Sequence, residues 1–233
     1  MIKDTCITYK LDIRVDIVRE AIKDYLYLLN RGFPQEQSLS LVVTRYNLSK
    51  KERMLLLRSI HGQRISEHII SKTIACDKLA CRTLIVDGLN VLLTIIAALR
   101  CDLLILGDDG FIRDLQGVHG KVKYDIYFFK ALERLGYGLH TLGLDKVYLF
   151  FDKNVKMIGF YSNIIRKVLT KYIDNVKIIL SPSCDKEIMS YNGVVSTSDI
   201  VILRSVDNVF DLAGYIVTKL MLYPNVFDIK NNI

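Results

Sequence analysis

Two apolar runs, each ending in an aspartate, constrain this chain most: Thr83-Leu84-Ile85-Val86-Asp87 and Lys146-Val147-Tyr148-Leu149-Phe150-Phe151-Asp152. Successive side chains of a strand point to opposite faces, so a strand with one wet face alternates apolar and polar residues. These runs barely alternate, and both of their faces must be covered. That is the condition of strands in a parallel sheet packed between helices. The intervening patterns agree. Gly88-Leu89-Asn90 turns into a helix over Val91 to Arg100, and Asp102 to Leu106 reads as a second strand. Helices are expected around Tyr124 to Leu135 and Tyr161 to Tyr172, strands over Val176 to Leu180 and Gly193 to Thr197, and a last helix from about Asp211 to Leu222.

The leading residues follow another period. Val15, Val18, Ile22, Tyr25 and Leu26 recur near every 3.6 residues, and Gly32 with Pro34 supplies a stop. A second helix is expected over Glu36 to Tyr46. Ser49 and Glu52 then have capping-box spacing, opening a helix with Met54, Leu55, Leu56, Leu57 and Ile60 inside. The reading is a basic helical N-terminal domain over residues 1–78 followed by an α/β domain over residues 79–233.

A composition of 51% hydrophobic and 24% charged residues allows a sizeable core and argues against disorder. The stretch Leu84 to Leu106 could pass for a membrane span, but Asp87, Asn90, Arg100 and Asp102 interrupt it. A buried strand–helix–strand unit is expected instead, with no membrane association. Met1 to Lys10 shows no basic-then-apolar leader. Cys6, Cys76, Cys81, Cys101 and Cys184 are an odd set without CxxC spacing, read as core residues of a cytoplasmic protein.

Charge is unevenly placed. Of the net +7, residues 1–82 hold 15 Lys/Arg against 9 Asp/Glu, and residues 83–233 hold 17 against 16. Arg45, Lys50, Lys51, Arg53, Arg58 and Arg64 lie on or beside the third helix. Such a face attracts a polyanion, with RNA the natural candidate, and a solvated basic helix is the alternative.

The aspartates carry the chemistry. Asp87 and Asp152 end strands, and Asp199 follows two residues after the Gly193–Thr197 run. In an open parallel sheet, ligands bind at the carboxyl edge. One such residue is often a helix cap, but three from distant segments repel unless a cation or a raised pKa relieves them. Oxygen-only donors of this kind suit Mg²⁺ or Mn²⁺.

Several motifs carry a resemblance. Leu84-Ile85-Val86-Asp87-Gly88-Leu89-Asn90 resembles the opening strand of the PIN and NYN nuclease superfamily, and Phe150-Phe151-Asp152 its middle acidic strand end. Cys184-Asp185-Lys186-Glu187-Ile188 resembles its acidic helix start, and Val195-Ser196-Thr197-Ser198-Asp199 its final small-residue motif. The whole chain, from Arg45-Tyr46-Asn47-Leu48-Ser49 through Leu106-Gly107-Asp108-Asp109-Gly110-Phe111-Ile112-Arg113-Asp114, is similar to a mainly archaeal family of unknown function. That family joins a small all-α N-terminal domain to a PIN-like (Rossmann-like) domain with a central parallel sheet flanked by helices.

The resemblance implies a metal-dependent ribonuclease in which Asp87, Asp152, Asp185 and Asp199 bind one or two divalent ions. It implies that Asn90 and Ser198 orient a carboxylate or a water. Asp108 and Asp109 depart from the superfamily pattern. They read either as added ligands, with Arg113 touching phosphate, or as a tight turn with Asp114 balancing Arg113. Asp185 also fits a plain cap after Pro182 and Ser183.

Little else in the sequence carries chemistry. His119 and His140 lack a paired nucleophile, and no phosphate-cradling glycine loop is present. Tyr124, Tyr127, Phe128 and Phe129 read as core residues or as a surface for stacking bases. Two other functions compete: a catalytically silent RNA-binding or ribosome-associated protein, and a Mg²⁺-dependent phosphatase. Asp87-Gly88-Leu89 does not supply the DxD pair that the phosphatase would favour. Homo-oligomerisation is left open.

Overall fold

The computed structural model describes residues 12–115, 122–221 and 224–232. Cys6 and His119 lie outside these residues.

Four parallel strands form the central sheet: β1 (Thr83–Asp87), β4 (Lys146–Asp152), β5 (Val176–Ser181) and β6 (Val194–Ser196), in the order β5-β4-β1-β6. The register sets Asp87 beside Phe150 and Asp152 beside Ser181. All four carboxyl ends therefore lie along one edge. Helices α5 (Gly88–Leu99), α6 (Ile126–Thr141), α7 (Ile158–Leu169) and α10 (Leu212–Leu220) cover one face, where Leu84, Val86, Val147, Leu149 and Phe151 join the largest core cluster. The other face carries Ile85, Phe150 and Val195 against Ile188 of α8 (Cys184–Ser190) and Ile202 of α9 (Ile200–Ser205). Burial on both faces accounts for the near-continuous apolar character of β1 and β4.

The second expected strand is present but lies elsewhere. β2 (Leu104–Leu106) belongs to a separate three-stranded sheet, antiparallel to β3 (Ile112–Asp114) and parallel to β7 (Val226–Asp228). Its alternate residues explain the placement. Leu104 and Leu106 face Ala97, Ala98 and Val217, while Leu103 and Ile105 face the N-terminal helices.

Those helices are α1 (Val15–Asn30), α2 (Gln35–Tyr46), α3 (Lys50–Ser59) and α4 (Gln63–Ser71). Val18, Ile22 and Tyr25 pack with Leu39, Val42, Leu55, Leu56 and Ile60, and Phe227 and Ile229 complete this cluster. The N-terminal helices and the small sheet thus share one core. The capping box forms: Ser49 accepts from the Glu52 amide, and Glu52 accepts from the Ser49 amide. Arg14 forks onto the same Glu52 carboxylate, at 2.6 and 3.0 Å. Among the described residues, no helix is long and apolar enough to cross a membrane. The cysteines are not a uniform core set: Cys76 and Cys81 are exposed, Cys184 is half-buried, and Cys101 is disulfide-bonded. Cys76 sits in a surface 3-10 turn, and Cys81 turns the chain with positive φ, which leaves neither in a position to pack inward.

Candidate acidic site

Strand ends and helix starts build the site. Asp87 ends β1 and caps α5, its Oδ1 accepting from the Asn90 amide at 3.3 Å. Gly88 follows because a side chain there would meet the Phe151 ring at 2.5 Å and the Phe150 carbonyl at 2.9 Å. Asp152 ends β4 and accepts from the Asn154 amide at 2.8 Å. Asp185 lies in the first turn of α8, directly after β5, and Asp199 caps α9 through the Val201 amide at 2.7 Å. These four aspartates line one cleft of about 910 Å³, together with Asn90. Leu89, Leu93, Val122, Tyr124, Val155 and Met157 give the cleft an apolar wall.

The carboxylates feel one another. Burial, reinforced by the Asp185 and Asp199 charges, pushes Asp87 up to about 6. Burial and then the Asp199 and Asp152 charges raise Asp185 as well. Burial pushes the Cys184 thiol up to about 12, with the Asp87 and Asp152 charges adding to it. Lys156 and Lys186 also line the cleft, yet among the described residues none of the four aspartates forms an ion pair. Both lysines thus share the cleft with the aspartates without pairing to them.

Thr197 is a site residue that motif reading passed over. Its hydroxyl donates to Asp87 Oδ2 at 3.0 Å and accepts from the Asp199 amide at 3.1 Å, tying two of the carboxylate-bearing segments together. Ser198 donates from its amide and hydroxyl to Asn90 Oδ1, at 2.8 and 3.0 Å. Asn90 and Ser198 thus hold each other. Asp211, the expected start of the last helix, caps α10, accepts from the Ile112 amide at 2.7 Å and is pushed up to about 6 by burial, but it does not line the cleft.

Asp108, Asp109 and Arg113 are not where a phosphate-handling loop requires them, and they do not line the cleft. Asp108 accepts from the His61 amide at 2.7 Å and meets His61 Nδ1 at 2.8 Å. Arg113, 1% exposed, grips Asp109 with two guanidinium nitrogens at 2.7 and 2.5 Å. It is sealed in the interior and cannot reach phosphate. Asp114 balances Arg58 instead of Arg113. The expected phosphate contact at Arg58 is likewise replaced: its guanidinium donates to the Asp114 carbonyl at 2.8 Å and carboxylate at 3.2 Å, holding α3 to β3.

The remaining basic candidates stay at the surface. Lys50, Arg53 and Arg64 are exposed. Arg45 is exposed too, beside Asp24 and over the Tyr46 ring, and Lys51 lies 3.8 Å from Asp12. Among the expected aromatics, Phe128 is buried and Tyr124 reaches the cleft wall, stacked on Tyr161 with ring centres 3.7 Å apart.

Two places could hold a metal ion, and they differ. Among the described residues, the group of three or more potential ligands whose donor atoms all lie within 4.8 Å is His61, Asp108 and Asp109. That buried group has ligand geometry, but Arg113 already shares the Asp109 oxygen that would serve. The cleft aspartates are spaced more widely. Their carboxylate donor set, without an ion pair among the described residues, fits a hydrated divalent ion, since Mg²⁺ keeps several waters and takes only one or two carboxylates directly.

Comparison with known proteins gives a consistent family picture. Residues 17–72 match a family model described as "Protein of unknown function (DUF434)", and residues 76–215 match "Domain of unknown function (DUF5616)". The chain is 30% identical over 188 residues to the uncharacterized protein MJ0935 of Methanocaldococcus jannaschii, covering 81% of this chain and 89% of that protein. No solved structure matches. With the model spanning the α/β part and the archaeal relative spanning most of both parts, this chain belongs to the DUF5616 family.

Proposed function

We propose that this chain is a divalent-metal-dependent ribonuclease acting through the acidic cleft. One observation carries the reading: four aspartates from four separate chain segments line one cleft, and among the described residues none of them is ion-paired. The order of the motifs, resembling the PIN and NYN nucleases, supports the same chemistry. Asp87, Asp152, Asp185 and Asp199 would hold Mg²⁺ or Mn²⁺, which when bound supplies an activated water and stabilises charge on a scissile phosphate.

The chain's own residues have separable tasks. Thr197 and the Asn90 amide hold both oxygens of Asp87, so that side chain presents a fixed edge. Asn90 locks Ser198 and thereby the strand-to-helix turn that carries Asp199. Met157, Val155 and Tyr124 offer an apolar wall on which a base or ribose could pack. Lys156 and Lys186, which line the cleft with the aspartates, would attract the backbone of a strand entering it. The exposed Lys50, Arg53 and Arg64 would extend that attraction along the helical segment.

The test is cleavage of a broad single-stranded RNA pool with Mn²⁺. Wild type should cleave and Asp87→Asn should not; equal cleavage by both would mean contamination and refute the assignment. The wider spacing of the cleft carboxylates favours one second reading, an RNA-binding protein without catalysis. Under that reading the wild type shifts RNA in a gel but leaves it intact at every Mn²⁺ concentration.

A further inference from the structure

A buried polar chain runs from the helical segment to the acidic cleft. His61, between α3 and α4, engages Asp108 through its amide and Nδ1, and the same Nδ1 lies 3.8 Å from Asp109 Oδ2. Asp109 is gripped by Arg113, whose Nε–H donates to the Ser198 carbonyl at 3.1 Å. Ser198 donates to Asn90, and the Asn90 amide donates to Asp87. His61, Asp108, Asp109, Arg113 and Ser198 are all buried. Gly107 makes room for the assembly, since a side chain there would meet Arg113 Nη1 and Asp109 Oδ1 at 2.8 Å.

From this geometry we infer that Arg113, with His61 and Asp109, is a positioning residue for the acidic cleft. The helical segment thereby sets the turn carrying Ser198 and Asp199. A desolvated ion pair is a poor source of net stability, because removing two charges from water costs about what their attraction returns. Its forked geometry does fix orientation, and the one guanidinium nitrogen left over from the fork is spent on the Ser198 carbonyl. Outer-shell groups of this kind typically change metal affinity about 10–100-fold when removed. The inference rests on the divalent-cation reading only for its affinity readout.

The experiment uses the full chain and three variants: Arg113→Lys, which keeps charge but loses the fork and the Nε–H; His61→Ala; and His61→Asn, whose amide can still donate to Asp108. Two readouts are taken, amide hydrogen exchange at Ser198 and Mn²⁺ affinity by titration. Arg113→Lys and His61→Ala should loosen the turn that holds the Ser198 amide on Asn90 Oδ1, so that this amide exchanges about fivefold faster, the scale of one modest hydrogen bond, and both variants should bind Mn²⁺ about tenfold more weakly. His61→Asn should stay near wild type. Wild-type exchange at Ser198 in both altered variants would overturn the inference. So would faster exchange spread evenly over the chain, or a Mn²⁺ affinity that does not follow Ser198. If wild type binds no Mn²⁺ while Ser198 alone exchanges faster, the positioning role stands and the metal-dependent reading falls.

Discussion

At neutral pH the Asp87 carboxylate holds its charge against burial first, and against Asp185 and Asp199 second. Its pKa rises from 3.8 to about 6, and about 2 units at 1.36 kcal/mol each is roughly 3 kcal/mol. Part of the side chain faces cleft water, which screens the charge, so about 2 kcal/mol is the working figure. The folded state favours the neutral acid. The associated stability is fully present below about pH 4, is lost between about pH 4 and 6, and stays lost above. Asp87→Asn removes the charge at every pH and keeps an acceptor for the Asn90 amide. Urea unfolding with chelator present, at about pH 4 and about pH 7.5, isolates the effect. Relative to wild type, the variant should gain about 2 kcal/mol on going to the higher pH. A difference between the two proteins that is the same at both pH values, within about 0.5 kcal/mol, would refute the claim that Asp87 is an unrelieved charge.

Other consequences follow from the same geometry. Mn²⁺ at about 100 times its dissociation constant should stabilise wild type by about 2.7 kcal/mol at neutral pH and Asp87→Asn by far less, read from the unfolding midpoint. Gly88→Ala drives a methyl into Phe151 and the Phe150 carbonyl and should cost about 1–3 kcal/mol in urea unfolding. Glu52, held down to about 2 chiefly by the Arg14 hydrogen bonds, contributes stability present above about pH 4.5 and lost as pH falls toward 2. Glu52→Gln should flatten that part of the pH profile and cost about 1 kcal/mol at neutral pH through the weakened cap.

Legibility in the sequence tracked how local the signal was. β1 and β4 were expected at their observed boundaries, because a run buried on both faces needs no partner to be recognised. β2 was found but placed in the wrong sheet, since its partners Ile112–Asp114 and Val226–Asp228 are three-residue strands without periodicity. The cleft aspartates were legible because each ends a strand or opens a helix, positions that punctuation reveals. Arg113 was misjudged for the opposite reason. A basic residue near acidic ones looks like a surface phosphate ligand, and only the fold shows Asp109 beneath it and the Ser198 carbonyl, 85 positions away, above it. His61 gives no signal in the sequence because its partner Asp108 is 47 residues distant.

The central claim is that the acidic cleft holds a divalent cation, and anomalous scattering from a crystal grown with Mn²⁺ tests it most directly. The account predicts a peak in the cleft, about 2.1 Å from an oxygen of one or two of Asp87, Asp152, Asp185 and Asp199, with waters completing the shell. A cleft without a peak, or a peak beside His61, Asp108 and Asp109 alone, would contradict it.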